Sequence, residues 1–525
     1  MMFQFDDGVA SHYQPLTLQS YLPFEQLASV RTALGQLESL NESDPDHYQL
    51  QVFDAFGGRL ADKGFTLIAR IEGNRKQILL FRKSDEDNEQ LIAEEEWRKK
   101  NWPRFYWEFN NPDLKAALKS VLGYWSLIAR QLFSVERYHY DVEDKRHKTV
   151  ARLVIAKVGR ADEQAAVAIE QYAELKLTSL RGYEKVFDRL ATCIDSFKGS
   201  SVYPCNKQFY EQIQSSETVA SCPLDPSQTV YLALNSMFRE SLEGLNLYYQ
   251  GTLNDIDTEF LHQYRVSIRK TRSLLKEFKK VLPGDIKPFA SFFKTLNNIT
   301  APVRDLDVYL LKVEDWTEER GGEFRKKIAP FEQLLNRKRR SAFKTMLTYL
   351  QSEEYQRELD RWQQYLEKLS QVESAEDIQS FSAKLIAKCY RRLLKEGGSL
   401  TEASPDEEYH ELRLTFKRFR YVLEFFNDLF VSKQYKTLYK QAKRLQTLLG
   451  DFQDITVQKS ALHDFADELA KLKNVNHETF LALGQVTGEF TNQHDDLKHR
   501  FHVQFTEFCD DQHKHMIANL GEAVA

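Results

Sequence analysis

The stretch "LHQYRVSIRKTRSLLKEFKK" (261–280) returns in altered form at 409–424 as "YHELRLTFKRFRYVLE", and the pair decides how the second half of the chain folds. Placed on a helix at about 100° per residue, His262, Arg265, Arg269, Arg272 and Lys276 fall within a sector of about 80°. Leu261, Ile268, Leu274, Leu275 and Phe278 lie on the opposite side, where a helix meets a core. The second segment divides the same way: His410, Arg413, Lys417, Arg420 and Glu424 form the polar stripe, and Leu412, Phe416, Phe419, Val422, Leu423 and Phe426 form its back. One basic stripe is ordinarily a solvated face. Two stripes in the same phase, each led by histidine, predict a duplicated helical unit with a shared task.

The helical texture runs from about 228 to 515 in long 3.6-period segments, broken at "LPGD" (282–285) and "KEGGSL" (395–400). An all-α domain of two repeated four-helix bundles is expected, with repeats at about 228–375 and 376–515. "LNNITAPVRDLDVYL" (296–310) follows the first stripe as "LQTLLGDFQDITVQK" (445–459) follows the second. If the units pack antiparallel with their stripes inward, the opposed cations repel one another unless an anion fills the cleft. A polyanion is the expected occupant.

Composition sets the limits. Over 525 residues, 72 basic and 77 acidic side chains leave a net charge of −5, which argues against a nucleic-acid coat protein; an anion site has to come from local clustering. The five cysteines are scattered without a C-x-x-C pair, a usage that suits a reducing compartment better than disulfides or zinc. The opening "MMFQFDDGVASHYQ" has no signal-peptide pattern, and no apolar run approaches the roughly 18 residues of a membrane span. A cytoplasmic chain without a membrane partner is expected. Residues 1–215 carry alternating segments such as "FTLIARI" (65–71), "KQILLFRK" (76–83) and "TVARLVIAKV" (149–158) between helical stretches, an α+β pattern of antiparallel sheet with helical insertions. The small, polar, proline-broken "SSETVASCPLDPSQ" (215–228) reads as a linker, taken as 216–227.

Four motifs in order, "HQYRVSIRKTR", "RDLDV", "HELRLTFKRFRYVLEFF" and "KRLQTLLGDFQD", resemble the CHAD family (conserved histidine α-helical domain) over roughly 228–515. The resemblance implies a basic channel between two four-helix units that binds inorganic polyphosphate. It implies His262, Arg265, Arg269, Arg272, His410, Arg413, Lys417 and Arg420 as phosphate contacts. Lys276, Lys443, Lys270 and Arg418 are further candidates, as are Arg337, Arg340 and Lys344 of "LNRKRRSAFK" (335–344), a stretch that stands equally well as a solvated patch. Arg304, Asp305, Asp307, Asp451 and Asp454 are implied as structural partners that fix the stripes. With an arginine beside it and no further acidic cluster, "RDLDV" reads as salt-bridging rather than metal-binding, and no metal or cofactor is expected. A linear polyphosphate offers charge and no base edges, which favours arginine's bidentate donors. The stripes hold no interleaved aromatic platform of the kind that binds single-stranded nucleic acid, although Tyr264 and Tyr421 sit beside them.

In the first half, "YQLQVFDAFGGRLADKGFTLIAR" (48–70), "RFYWEFNNPDLKAAL" (104–118) and "YAELKLTSLRGY" (172–183) resemble the CYTH, or triphosphate tunnel metalloenzyme, family, which implies an antiparallel, tunnel-like β-barrel. Family members that hydrolyse triphosphates open with Glu-x-Glu-x-Lys. The corresponding "TLQSY" (17–21) puts Thr17, Gln19 and Tyr21 in those places, poor groups for a hard dication or a phosphate. Ile68 stands where the family has a second arginine beside Arg70. Arg82, Arg104, Glu108 and Glu174 remain as a residual anion site or as ordinary surface charges. The leading expectation is a non-catalytic polyphosphate-binding protein, associated with polyphosphate granules, whose first half is a degenerate enzyme domain. The alternatives are a metal-dependent inorganic triphosphatase acting through that half, and an RNA-binding or scaffold protein.

Overall fold

A computed structural model describes residues 15–85, 88–160, 172–197, 219, 223–373, 376–430, 432–472, 475–509 and 511–522. The opening fourteen residues, Cys205, Cys222 and half of the proposed linker lie outside the described residues. The chain divides into two units, Met1–Thr218 and Val219–Ala525.

Period-2 alternation in the first unit builds a nine-stranded antiparallel sheet. Its strands are β1 (Thr17–Pro23), β2 (Ser39–Glu42), β3 (Asp46–Asp54), β4 (Phe65–Glu72), β5 (Arg75–Asp85), β6 (Asn88–Glu96), β7 (Ile128–Glu143), β8 (Thr149–Arg160) and β9 (Tyr172–Ser179). They pair in the order β1-β9-β8-β7-β3-β4-β5-β6, with β2 added on β7. Among the described residues the end strands β1 and β6 do not pair with each other, so the ladder is open. Helices α1 (Leu27–Leu37), α3 (Pro112–Leu122) and α4 (Glu184–Asp195) cover one face. There Leu153 and Leu175 meet Val30, Leu34 and Leu190, and Leu67 and Ile78 meet Leu114 and Leu118. The other face carries a smaller apolar patch of Val52, Phe133, Val135, Ala156 and Val158. Between β3 and β4, the buried Asp54 accepts from the N–H groups of Ala55 (2.6 Å), Leu60 (2.8 Å) and Ala61 (3.2 Å). It thereby ties the start of the short helix α2 (Arg59–Asp62) to the strand.

The second unit is helical throughout. The first repeat holds α5 (Val230–Leu253), α6 (Thr258–Glu277), α7 (Lys287–Arg320), α8 (Gly322–Leu350) and α9 (Glu353–Leu369). The second holds α10 (Ile378–Gly398), α11 (Asp406–Phe425), α12 (Lys433–Ala470), α13 (His477–Phe508) and α14 (Asp511–Glu522). Four long helices in each repeat match the expected bundle. A fifth, shorter one folds back on the first, α9 on α5 and α14 on α10.

The duplication shows in how the copies touch. Thr229 and Asp377 are the N-caps of α5 and α10 and face each other in a single antiparallel bridge. Around it the Val230 N–H donates to Glu376 O (3.1 Å) and the Ile378 N–H to Gln228 O (2.9 Å). Thr229 and Asp377 are separated by the same 148 positions that separate His262 from His410. Phe278 and Phe426 share that spacing too, and their rings meet edge-on at 6.3 Å. Equivalent residues touch one another only beside a two-fold axis, so a pseudo-two-fold relates the repeats and α6 lies alongside α11. At about 1.5 Å per residue, α7 and α12 outrun α6 and α11 by some 20 Å or more. The overhang builds a core common to both repeats from Leu306, Val313, Trp316 and Phe331 with Leu462, Phe465, Leu469 and Val486. The repeats are therefore joined at both ends.

Close helix packing depends on glycine at a few points. A Cβ on Gly397 would come within 2.2 Å of the Phe505 ring, whereas one on Gly398 meets nothing within 4 Å. Gly397→Ala is expected to destabilise the helical unit by about 1–3 kcal/mol through overpacking, read as a lower denaturation midpoint, while Gly398→Ala leaves the midpoint close to its starting value.

Candidate anion-binding groove

The apolar backs of both stripes are buried as the turn angles require: Leu261, Ile268, Leu274, Leu275 and Phe278 on α6, and Leu412, Phe416, Phe419, Val422, Leu423 and Phe426 on α11. With those faces fixed, the polar stripes turn toward the seam between the repeats. Arg269 and Arg272 of α6 and Lys417 of α11 line one groove of about 550 Å³. Lys276 stands exposed on its rim, and Lys287 and Lys294 of α7 form part of its wall. Lys417 is half-buried; burial first, then the fields of Arg269, Arg413, Arg420 and Arg272, bring its ammonium down to about 8. Two of those four guanidiniums come from the other repeat, so the stripes oppose each other. The buried Nε atoms of Arg269, Arg413 and Arg420 have no hydrogen-bond partner among the described residues. Donors held in this state favour an anion that can accept from them.

The remaining stripe residues are partly committed to the protein. Arg265 donates through Nη1 to Asn297 O (3.0 Å) and Thr300 Oγ1 (2.8 Å) on α7, and burial lowers it to about 10 against the attraction of Asp305. Arg420 donates to Glu424 at 2.6 Å and lies over the Tyr421 ring. Arg418 crosses between repeats to the nearly buried Glu277 at 2.5 Å, and Lys270 pairs with Glu240 at 3.2 Å. The two histidines differ. Burial, then Arg304, Arg269 and Arg265, hold the half-buried His262 imidazole down at about 4, so it is neutral at pH 7. His410 Nδ1 is hydrogen-bonded to Gln453 Oε1 at 2.6 Å. Both histidines are half-buried.

The expected structural partners separate into two groups. Asp305 feels Arg265 and Arg304 and has Asp454 near it, with burial raising its pKa. Asp451 is likewise raised by burial and by Asp454, with Lys312 opposing. Asp307 does not pair with the stripe. Two residues on from Asp305 it points about 200° away around the helix and binds Arg339 of α8, whose Nη atoms also hold Asp255 (2.7 and 2.8 Å). In "NRKRR" the inward residue is thus Arg339, not its neighbours. Arg337 and Arg340 line a separate surface cavity with Gln333 and Asn336. Lys344 and Lys443 are exposed and do not line the groove. Lys287 and Lys294 were legible only as two lysines seven residues apart on one helix face. Among the described residues no group of three or more His, Cys, Asp or Glu side chains could hold a metal ion, and no helix is long and apolar enough to cross a membrane.

The sheet unit disperses its candidate charges. Arg82 lies over Phe65 (5.6 Å), and Glu108 accepts from the backbone N–H groups of Arg104 and Phe105 (3.0 and 3.1 Å). Arg70 pairs with Glu72 and shares the Tyr48 ring with Arg137. Ile68 packs on Val52 and its apolar neighbours. β1 places Gln19 opposite Lys176 and Tyr21 opposite Glu174; the side chains of Gln19 and Tyr21 lie outside the described residues.

A duplicated helical unit with a cationic groove at its pseudo-two-fold seam defines the class. Residues 236–463 match the family model of the CHAD domain. No curated protein matches the chain. Among solved structures, the CHAD domain from the plant Ricinus communis is similar at 22% identity, over 54% of this chain and 96% of that one, with a TM-score of 0.46. PptA from Streptomyces chartreusis is similar at 16% identity, over 53% and 100%, with a TM-score of 0.42. HpAC1 from Hippeastrum, named as an adenylyl cyclase with a dominant triphosphatase activity, is similar at 12% identity, over 37% and 96%, with a TM-score of 0.26.

Proposed function

We propose that the helical unit binds inorganic polyphosphate in the groove between its repeats without chemical turnover, that the sheet unit is a degenerate CYTH-like domain, and that the protein associates with polyphosphate granules in the cytoplasm. One observation carries the reading: Arg269 and Arg272 from one repeat and Lys417 from the other share a groove in which their charges repel. A flexible chain of phosphates, about one charge per unit, relieves that repulsion along its whole length. Neutralising about five phosphates should give a slope near −3.5 in log affinity against log salt. Fluorescence anisotropy of end-labelled long-chain polyphosphate on the full chain is therefore expected to show about fiftyfold weaker binding when salt rises threefold. A flat salt response would remove the proposal. Competition with single-stranded RNA at fixed salt addresses the RNA-binding reading, and polyphosphate is expected to prevail.

The pH dependence has a definite sign. Lys417 is charged below about 8 and neutral above it, and only the charged form attracts phosphate. Affinity should fall as pH rises from 7 to 9, with a proton taken up on binding in that window because the polyanion restores the lysine's pKa. Calorimetry in two buffers of different ionisation enthalpy measures that proton. Lys417→Arg should flatten the profile. The triphosphatase reading rests on the sheet unit's sequence resemblance. With Ile68 inside an apolar patch and Arg70 paired to Glu72, no Mg²⁺-dependent phosphate release from tripolyphosphate above the blank is expected.

A further inference from the structure

Lys417 combines properties that phosphate binding alone does not require. It is a primary amine, half-buried, and faces a cavity of about 550 Å³ rather than a packed core. Arg269 and Arg272 from α6 and Arg413 and Arg420 from its own helix bear on it, and Lys276, Lys279, Lys287 and Lys294 add cationic groups to the cavity wall. Glu277, the carboxylate on the cavity wall, is bound to Arg418. No anionic partner of Lys417 appears among the described residues to hold its proton in place. Leu275, Leu414 and Tyr421 complete the wall with apolar surface. The cavity therefore offers phosphate donors, an apolar flank and a nucleophilic amine together.

We infer that Lys417 is a covalent modification site for phosphorylated aldehydes, small molecules that carry a carbonyl and a phosphate monoester on one frame. The inference rests on the groove being an anion site. Arg269 and Arg272 take the phosphate, and the aldehyde is left beside the amine. The lone pair of the neutral amine adds to the carbonyl carbon while the carbon–oxygen π pair moves to oxygen. Proton transfer from nitrogen to that oxygen gives a carbinolamine, and loss of water leaves the imine. No oxidant or reductant is consumed. In the ligand-free groove burial, and after it the surrounding guanidiniums, supply the reactive form: at pH 7.4 an amine that titrates near 8 is free in roughly one molecule in five, against about one in a thousand for an ordinary lysine. Lower basicity weakens the nucleophile somewhat, but the gain in free amine is the larger effect.

The probe is pyridoxal 5′-phosphate at pH 7.4, followed by borohydride reduction of the imine and peptide mapping of the full chain. Lys417 should be labelled about tenfold or more faster than the exposed Lys276 on the same rim, and inorganic tripolyphosphate should suppress that labelling. Pyridoxal, which lacks the phosphate, should label Lys417 at least tenfold less than the phosphorylated probe. Lys417→Arg keeps the charge and should abolish the fast site, while labelling of the exposed Lys276 stays at the parent's rate. Equal labelling of Lys417 and Lys276, or no preference for the phosphorylated probe, overturns the inference. Polyphosphate anisotropy in the same samples separates the two readings. Polyphosphate binding without selective labelling overturns only the aldehyde site, and selective labelling without polyphosphate binding overturns only the polymer ligand.

Discussion

Polyphosphate affinity is expected to fall about a hundredfold in an Arg269→Gln/Arg272→Gln double variant, while thermal stability stays level or rises. Hydrogen bonds to charged groups contribute about 1.5–3 kcal/mol each, so losing two, with some rescue by neighbouring cations, gives about 3 kcal/mol, or two decades in affinity. The stability half of the expectation comes from the groove itself. Both arginines push down the pKa of Lys417, so removing them relieves a repulsion in the ligand-free fold. A variant that binds poorly because it is misfolded would lose stability, which separates the two outcomes. The salt slope should also become shallower by roughly 0.7 for each charge removed. Arg337→Gln/Arg340→Gln removes as much charge from the separate cavity on α8 and should change affinity less than threefold. Equal losses in the two double variants would mean that diffuse charge, rather than the seam between repeats, binds the polymer.

What the sequence revealed and what it hid follow from the range of the interactions involved. The stripes were legible because one helix holds each of them: periodicity alone put Ile268 and Phe278, or Phe416 and Phe426, in the core and so fixed the direction of Arg269 and Lys417. The duplication was legible from a recurring histidine, and it led to contacts no single helix encodes, Thr229 with Asp377 and Phe278 with Phe426. Charge clusters were less legible. "NRKRR" offered four cations in five residues, and which one turns inward depends on a carboxylate 32 positions earlier on another helix. Asp305 and Asp307 look interchangeable in "RDLDV" yet face opposite ways. The fifth helix of each repeat was also missed, because α9 and α14 read as continuations of the helical texture until Trp362 is seen against Phe238, Phe289 and Phe293. In the sheet unit, alternation predicted the strands, while closure of the ladder depends on pairing between its two end strands, which local alternation does not encode.

Arg339→Ala is expected to be the most damaging single substitution in the helical unit, costing about 3–5 kcal/mol of stability. Asp307 is almost wholly buried, with its side chain 1% exposed, and Arg339 joins it to Asp255 from the turn after α5. That turn is itself held at a positive φ of 49° at Asp255. Breaking a buried pair by deleting one partner leaves the other charge uncompensated, which is far costlier than replacing both by apolar groups. Burial already lifts the Asp307 carboxyl to about 6 despite the guanidinium, and without Arg339 it should rise further. The damage then has a pH signature. A carboxyl whose folded pKa lies above its unfolded value of about 3.9 disfavours folding increasingly as pH rises from the unfolded to the folded pKa, so the variant should lose stability between pH 4 and 7 more steeply than the parent. Adding Asp307→Leu to an Arg339→Met background removes both charges and should recover most of the loss; chemical denaturation at pH 5 and pH 7.5 measures both effects. Because the pair lies on the face of α7 turned away from the stripe, the recovered double variant should bind polyphosphate as the parent does. A large loss of affinity in that stable variant would show that the buried pair also positions the groove.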